Sequence, residues 1–164
     1  MQKKMSRQIY RAPWHDYRSK CIYMVTLNKA PGVQDFGMLC GDPAIPRGQL
    51  GAPYVRATHV GVAIKDKIRT FYETDPAARI FQYALMPDHF HLLISIATPT
   101  QDTLSQIISR FKVAVNHQAG ITPVFDKGFN DQILKPGRGL DTLSRRTCLA
   151  LHSHARQIAP RVGC

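Results

Sequence analysis

The segment at residues 83–96, Tyr-Ala-Leu-Met-Pro-Asp-His-Phe-His-Leu-Leu-Ile-Ser-Ile, constrains the fold of this chain more than any other. His89 and His91 are separated by one apolar residue, so they cannot share a helix face, whereas alternation along a β-strand puts both on one face. Pro87 cannot donate to a strand ladder, which indicates that the strand begins near Asp88. The sequence therefore predicts a strand whose two imidazoles converge on one point.

Two imidazoles on one strand face form a ready pair of metal ligands, because the backbone fixes their separation before any ion arrives. We therefore predict that His89 and His91 bind a metal ion. The alternative is that one or both histidines are hydrogen-bonded strand residues that bind no metal.

The charge of the chain indicates a polyanionic partner. Its 164 residues contain 22 Lys and Arg against 11 Asp and Glu, a formal net charge of +11. Nucleic-acid phosphates are the commonest partner of so basic a domain, although a basic protein without such a partner would have the same balance. The scattered cysteines form no Cys-x-x-Cys pair, so we expect free thiols rather than disulfides or a zinc site.

Length and hydropathy predict one globular domain with a buried core, since 44% of the residues are apolar. No apolar run is long enough for a membrane span, and the basic start leads into no apolar signal segment. We therefore expect a cytoplasmic protein with no membrane partner.

Residues 1–20 form a predicted N-terminal arm in which basic and aromatic side chains alternate. Guanidinium groups bind phosphates and aromatic rings stack on unpaired bases, so this composition suits a nucleic-acid contact. The residues predicted to contact DNA are Arg7, Arg11, Trp14 and Arg18. The alternative is a packed strap whose aromatic side chains cover the edge of the core, and both roles can hold together.

Hydrophobic patterning predicts a ferredoxin-like α+β fold, in which helices pack on one face of an antiparallel sheet. Besides the histidine strand, we predict strands at 21–27, 36–40 and 79–85, a last strand or extended segment at 123–134, and a loop at 44–53. The strand at 79–85 leads into the histidine strand, either as a hairpin or as one bent strand.

Apolar residues at spacings of three and four predict helices at 55–74, 100–118 and, beginning there, 140–146. Asp102 or Thr103 can cap the second of these helices, and Gly120 ends it. Arg110 and Lys112 lie on this helix, and we predict that both contact DNA phosphates.

The run Met-Pro-Asp-His-Phe-His-Leu-Leu-Ile at 86–94 resembles the His-hydrophobic-His strand of the single-tyrosine HUH transposases, especially the REP-associated branch. The aromatic and basic run at 10–27 is similar to that family's opening, and the resemblance extends to about Arg145. It implies a transposase-like domain at 21–146 with a ferredoxin-like fold and a homodimeric state. It also implies single-stranded or hairpin DNA as substrate, cleaved and rejoined through a phosphotyrosine.

In that family the two histidines and one further polar side chain hold a divalent ion that polarises the scissile phosphate. Imidazole pairs with oxygen ligands and open water positions suit magnesium or manganese, and zinc is also compatible with the ligand type. The resemblance places the nucleophilic tyrosine near Arg146 and the third ligand four residues later, at Ala150. All six tyrosines precede the histidines, so nucleophile and third ligand are missing together and we predict impaired catalysis.

Two interpretations of this departure stay open. Either the chain kept the DNA-binding and metal-binding scaffold and lost catalysis, or its reading frame departs from the ancestral one near Arg145. The second is favoured because the tail at 147–164 has no helical stripe and no acid. The tail's histidines and cysteines match no closed zinc motif, so we expect them to be solvated.

Two further functions are compatible with the sequence. A non-enzymatic regulator would bind repeat DNA or form mixed dimers with an active copy. A metal-dependent hydrolase unrelated to DNA would need a carboxylate base, and Asp88 is the only acid near the histidine pair. We interpret Tyr83 as a core residue rather than a substitute nucleophile.

Overall fold

The computed structural model describes residues 11–134. Arg7, the predicted helix at 140–146 and the tail at 147–164 lie outside the described residues. Within 11–134 the elements run, in order, β1 (Cys21–Asn28), β2 (Gly37–Cys40), β3 (Tyr54–Ala57), α1 (His59–Arg69), α2 (Phe71–Thr74), β4 (Ala78–Leu85), β5 (His89–Ile96), α3 (Leu104–Ala119) and β6 (Asn130–Leu134).

The main sheet has four strands in the order β4-β5-β1-β6, and every neighbouring pair is antiparallel. With helices between β1 and β4 and between β5 and β6, this is the ferredoxin-like βαββαβ arrangement, which confirms the predicted α+β fold. The histidine strand follows β4 as a hairpin rather than as one bent strand.

A second sheet of two strands, β2 and β3, is inserted between β1 and α1. The prediction of a strand at 36–40 is confirmed, but the predicted helix at 55–74 is wrong in its first turn. Val55 and its neighbours pair with β2, and the helix begins only after Thr58, whose side chain accepts a hydrogen bond from the Gly61 backbone at 3.3 Å. Tyr54 and Val55 are residues that favour strands, and their pairing with β2 outweighs the helical spacing there.

The hairpin of β2 and β3 lies very close to α1 at Gly61. A side chain at this position would place its Cβ 1.9 Å from the carbonyl oxygen of Phe36. Only glycine allows this approach, so Gly61 determines how the inserted hairpin packs against the main domain.

Helices α1 and α3 cover one face of the main sheet, and an apolar core lies between them. From β5 the core takes Phe90, Leu92, Ile94 and Ile96, all fully buried. Helix α3 begins at a capping box of Thr103 and Gln106 and ends at Gly120 in the left-handed conformation, as its sequence predicts. No helix in residues 11–134 is long and apolar enough to span a bilayer.

The described part of the N-terminal arm is packed against the domain. The backbone of Arg18 accepts a hydrogen bond from Thr100 at 2.9 Å, and that of Tyr17 accepts one from Leu104 at 3.1 Å. The Tyr17 ring stacks on Tyr23, with ring centroids 5.8 Å apart. Residues 11–20 therefore form a strap over the loop that precedes α3, the alternative given for this composition.

Candidate metal and nucleic-acid site

His89 and His91 lie side by side on the face of the main sheet opposite α1 and α3. Their cross-strand partners on β1 are Asn28 and Thr26, whereas the intervening Phe90 is paired with Leu27 and points into the core. The two imidazole centroids are 4.9 Å apart, and the ring planes meet at 80°. Both side chains are partly exposed. We call this side of the sheet, with His89, His91, Thr26 and Asn28, the histidine face.

Each imidazole is held through its Nδ1 atom. Nδ1 of His89 lies 2.7 Å from Oδ1 of Asp88, and Nδ1 of His91 lies 2.8 Å from Oγ1 of Thr26. A ring that is hydrogen-bonded through one nitrogen binds a metal through the other, so Nε2 is the donor that each histidine would offer. The residues present therefore fit a two-histidine metal site.

The described residues supply no third ligand of the usual ionisable kinds. Within 11–134, no three or more His, Cys, Asp and Glu side chains are arranged so that together they could hold a metal ion. Amide side chains do lie on the histidine face: Asn28 is opposite His89, and Asn130 of β6 is opposite Thr26. Amide oxygens and water are acceptable ligands for magnesium or manganese. Sequence reasoning missed Thr26, Asn28 and Asn130, although alternation along β1 and β6 was the signal that could have found them.

Two tyrosines of the main sheet lie away from the histidines. Tyr23 is paired with Ile94 and fully buried on the helix side. Tyr83 is paired with Leu92, so it also lies on the opposite face from the histidines. At 42% exposure Tyr83 is not the core residue we predicted, because β4 is the edge strand of the sheet.

Arg110 and Lys112 lie on α3, on the helix side of the sheet, and both are occupied by contacts within the domain. Arg110 donates to the carboxylate of Asp75, which is 7% exposed, and to Asp102 at 3.0 Å. The hydrogen bond to Asp75 raises the pKa of Arg110, although burial opposes this. Their predicted contacts with phosphate stay a prediction.

Lys112 fastens the loop that follows α3. Its Nζ donates to the backbone carbonyls of Asp126, at 2.8 Å, and Gly128. Burial lowers the pKa of Lys112, and the nearby Asp126 carboxylate partly offsets that shift. The ammonium therefore stabilises a loop in addition to any contact it makes with DNA.

Three residues of the arm, Arg11, Trp14 and Arg18, differ in their contacts with the rest of the domain. The Arg11 guanidinium lies over the Phe129 ring, 4.2 Å from its centroid, and 4.0 Å from the Asp131 carboxylate. Arg18 is exposed and donates through Nε to the Gln101 carbonyl at 2.8 Å. Trp14 is 72% exposed. The arm packs on the helix side, next to Tyr23, so the structure does not bring these residues together with the histidine pair.

Comparison with known proteins gives one informative result. No protein-family model matches the chain, and a search of curated proteins finds no match. Among solved structures, a REP-associated tyrosine transposase bound to a REP hairpin is similar, with a TM-score of 0.50 and 16% sequence identity. The similarity covers 84% of this chain and 68% of that one. The chain thus shares, distantly, the fold of a REP-associated tyrosine transposase.

Proposed function

We propose that this chain is a transposase-like DNA-binding protein that binds single-stranded or hairpin DNA and holds a divalent metal ion between His89 and His91. The observation that carries the proposal is the pair of imidazoles, 4.9 Å apart on β5, in a fold similar to that of a transposase bound to a DNA hairpin. A net charge of +11 supports a polyanionic ligand.

Magnesium or manganese at this site would act as a Lewis acid on a phosphate oxygen of the DNA. His89 and His91 would bind it through Nε2, and Asn28 and Asn130 lie where an amide oxygen or a bound water could complete the ligand set. Because both imidazoles are partly exposed, a phosphate could reach the site from the histidine face.

Catalysis is impaired in this proposal, because the chain offers no nucleophile at the position the family uses. No tyrosine follows the histidines in the sequence, and Tyr23 and Tyr83 lie on the other face of the sheet. The chain would therefore bind DNA and metal without forming a phosphotyrosine link. The same absence favours a second function, a non-enzymatic regulator that binds repeat DNA or joins an active copy in a mixed dimer.

The first experiment measures binding of the full chain to a DNA hairpin with a single-stranded flank, by gel shift at several salt concentrations. We expect binding that weakens steeply with salt, since phosphate contacts release counterions, and weaker binding to a blunt duplex of the same composition. Binding that does not change with salt concentration, or that is equally strong for the blunt duplex, would contradict the proposal that the chain binds single-stranded or hairpin DNA.

Incubation with Mn²⁺ and end-labelled hairpin DNA separates impaired from active enzyme. We expect no DNA that migrates with the protein after denaturation, because a covalent link needs a tyrosine at the position that the family uses and no tyrosine follows the histidines in the sequence. A covalent product would overturn the prediction of impaired catalysis, and mass spectrometry of that product would identify the linked residue.

The contribution of the arm can be tested at Trp14, because its ring is exposed. Stacking on one unpaired base is worth about 1–3 kcal/mol, so Trp14→Ala should weaken binding of single-stranded DNA by roughly ten-fold or more. Tyr72→Ala is a matched control, since Tyr72 is 54% exposed and lies on α2. Equal effects of the two substitutions would show that the arm has no specific role.

A further inference from the structure

We infer that Asp88 and Thr26 are positioning residues, which fix both imidazoles so that Nε2 is the nitrogen presented to the metal. The inference rests on the proposed metal site but concerns two residues to which that proposal gives no role. Neither side chain would touch the ion. Each would act through the ring that it holds.

Asp88 fixes the protonation pattern of His89. An ionised carboxylate can only accept, so the contact of 2.7 Å between Oδ1 and Nδ1 places the ring proton on Nδ1. The lone pair of the neutral ring is then on Nε2, where a metal ion would bind.

Hydrogen bonds hold the backbone around Asp88 in place. Its carbonyl oxygen accepts from the Lys29 backbone at 2.9 Å, and the preceding carbonyl, of Pro87, accepts from Phe36 at 2.7 Å. The Met86 backbone donates to the carbonyl of His89 at 2.9 Å and closes the turn between β4 and β5. The turn is thus tied to β1 and to the segment before β2, so Asp88 has a fixed position beside His89.

Thr26 holds His91 in a different way. It is the direct cross-strand partner of His91, and its Oγ1 lies 2.8 Å from Nδ1. A hydroxyl can donate or accept and carries no charge, so it orients the ring but, unlike a carboxylate, does not fix which nitrogen carries the proton. The two histidines should therefore be unequal ligands, with His89 depending more on its partner than His91 does.

The test combines two measurements on the full chain and its variants. Nitrogen-15 NMR of the imidazoles, on metal-free protein at a pH where the rings are neutral, reports which ring nitrogen carries the proton. Calorimetric titration with Mn²⁺, without DNA, reports affinity. We expect an Nδ1–H ring at His89 in the wild type and a 10–100-fold loss of Mn²⁺ affinity in Asp88→Ala, together with a mixture of His89 tautomers.

Matched variants isolate the positioning role. Thr26→Val keeps the shape of the side chain and should lower Mn²⁺ affinity less than Asp88→Ala does, and Thr26→Ser should restore it. Asp66→Ala removes the same charge from α1, where Asp66 pairs with Arg69, and should leave affinity and tautomers unchanged. Thermal unfolding of each variant identifies any that fails to fold.

The inference and the proposed metal site fail in different ways. A wild-type His89 ring protonated on Nε2, or an Asp88→Ala variant with unchanged His89 tautomer and Mn²⁺ affinity, would overturn the role of Asp88, and a Thr26→Val variant with unchanged Mn²⁺ affinity would overturn that of Thr26. An Nδ1–H ring at His89 in a wild type that binds no Mn²⁺ would refute the metal site, while supporting the assignment of Asp88 as the group that fixes this ring.

Discussion

Strand β5 contributes alternate side chains to two surroundings that differ in packing, polarity and exposure. Phe90 and Leu92 are fully buried beneath the helices. His89 and His91, one residue away from them, are partly exposed and contact polar partners. The same strand therefore supplies stability through one face and candidate chemistry through the other.

Polar groups on the helix side are engaged inside the domain. Arg110 is bound to a buried carboxylate, and Lys112 holds two loop carbonyls. Tyr23 is buried, with its hydroxyl 2.7 Å from Nε2 of His15. A basic residue on a helix is therefore not by itself a sign of DNA contact, because its charge can instead stabilise the domain through contacts with neighbouring carboxylates and carbonyls.

The largest effect that we expect on stability comes from Phe90→Ala. The ring lies among Phe36, Phe111 and Phe125, with centroids 5.8 to 6.5 Å away, so truncation leaves a cavity in the core. The free energy of unfolding should fall by about 3–5 kcal/mol, measured by denaturant titration. If the free energy of unfolding falls by less than about 1 kcal/mol, the helix-covered face of β5 does not contribute more to stability than the histidine face, contrary to our expectation.

Removal of the Arg110 guanidinium should have the next largest effect. Arg110→Met leaves the buried carboxylate of Asp75 without this donor, which should cost about 1–3 kcal/mol of unfolding free energy at neutral pH. The double variant Arg110→Met with Asp75→Leu should recover part of that loss. If Arg110→Met keeps full stability and instead loses DNA affinity, the guanidinium belongs to the binding surface.

Tyr23→Phe should change the pH dependence of stability. Burial raises the pKa of Tyr23, so the unfolded chain releases the phenolic proton first, and stability present below pH 10 is lost as the pH rises further. At neutral pH the variant should lose about 1 kcal/mol with the hydrogen bond to His15. Above pH 10 its stability should fall less steeply than that of the wild type.

The pKa of Lys112 is shifted in the opposite direction to that of Tyr23, but this shift does not affect the comparison of the wild type with Tyr23→Phe. The lowered pKa of Lys112 makes stability rise with pH as the unfolded chain loses its lysine proton, and this contribution is the same in both proteins. Parallel curves above pH 10 would contradict the assignment to Tyr23.

The smallest effect on stability is expected on the histidine face. His91→Ala removes the hydrogen bond to Thr26 from a partly exposed site, so the free energy of unfolding should change by no more than about 0.5 kcal/mol. Binding of Mn²⁺ should nevertheless be lost, which sets this variant apart from Phe90→Ala. A variant as unstable as Phe90→Ala would show that His91 is a structural residue.

Much of the fold was predictable because its signals are local. The alternation around Phe90 indicated the histidine strand, and the spacing from Leu104 to Val115 indicated α3. The prediction failed at 55–57, where pairing with β2 decides the structure and apolar spacing does not. The hydrogen bond between Thr26 and His91 could not be predicted either, because 65 residues separate them in the chain.

The order of the residues is enough to predict that His89 and His91 share one strand face, since a period of two follows from the backbone geometry of any strand. The basic charge and the absence of a tyrosine after the histidines are likewise properties of the sequence. In contrast, the contacts of Asp88 and Thr26 with the rings, and the position of Arg110 and Lys112 on the other side of the sheet, became visible only in the folded domain. Those relations depend on strand register and helix packing, which bring together residues that no local pattern connects.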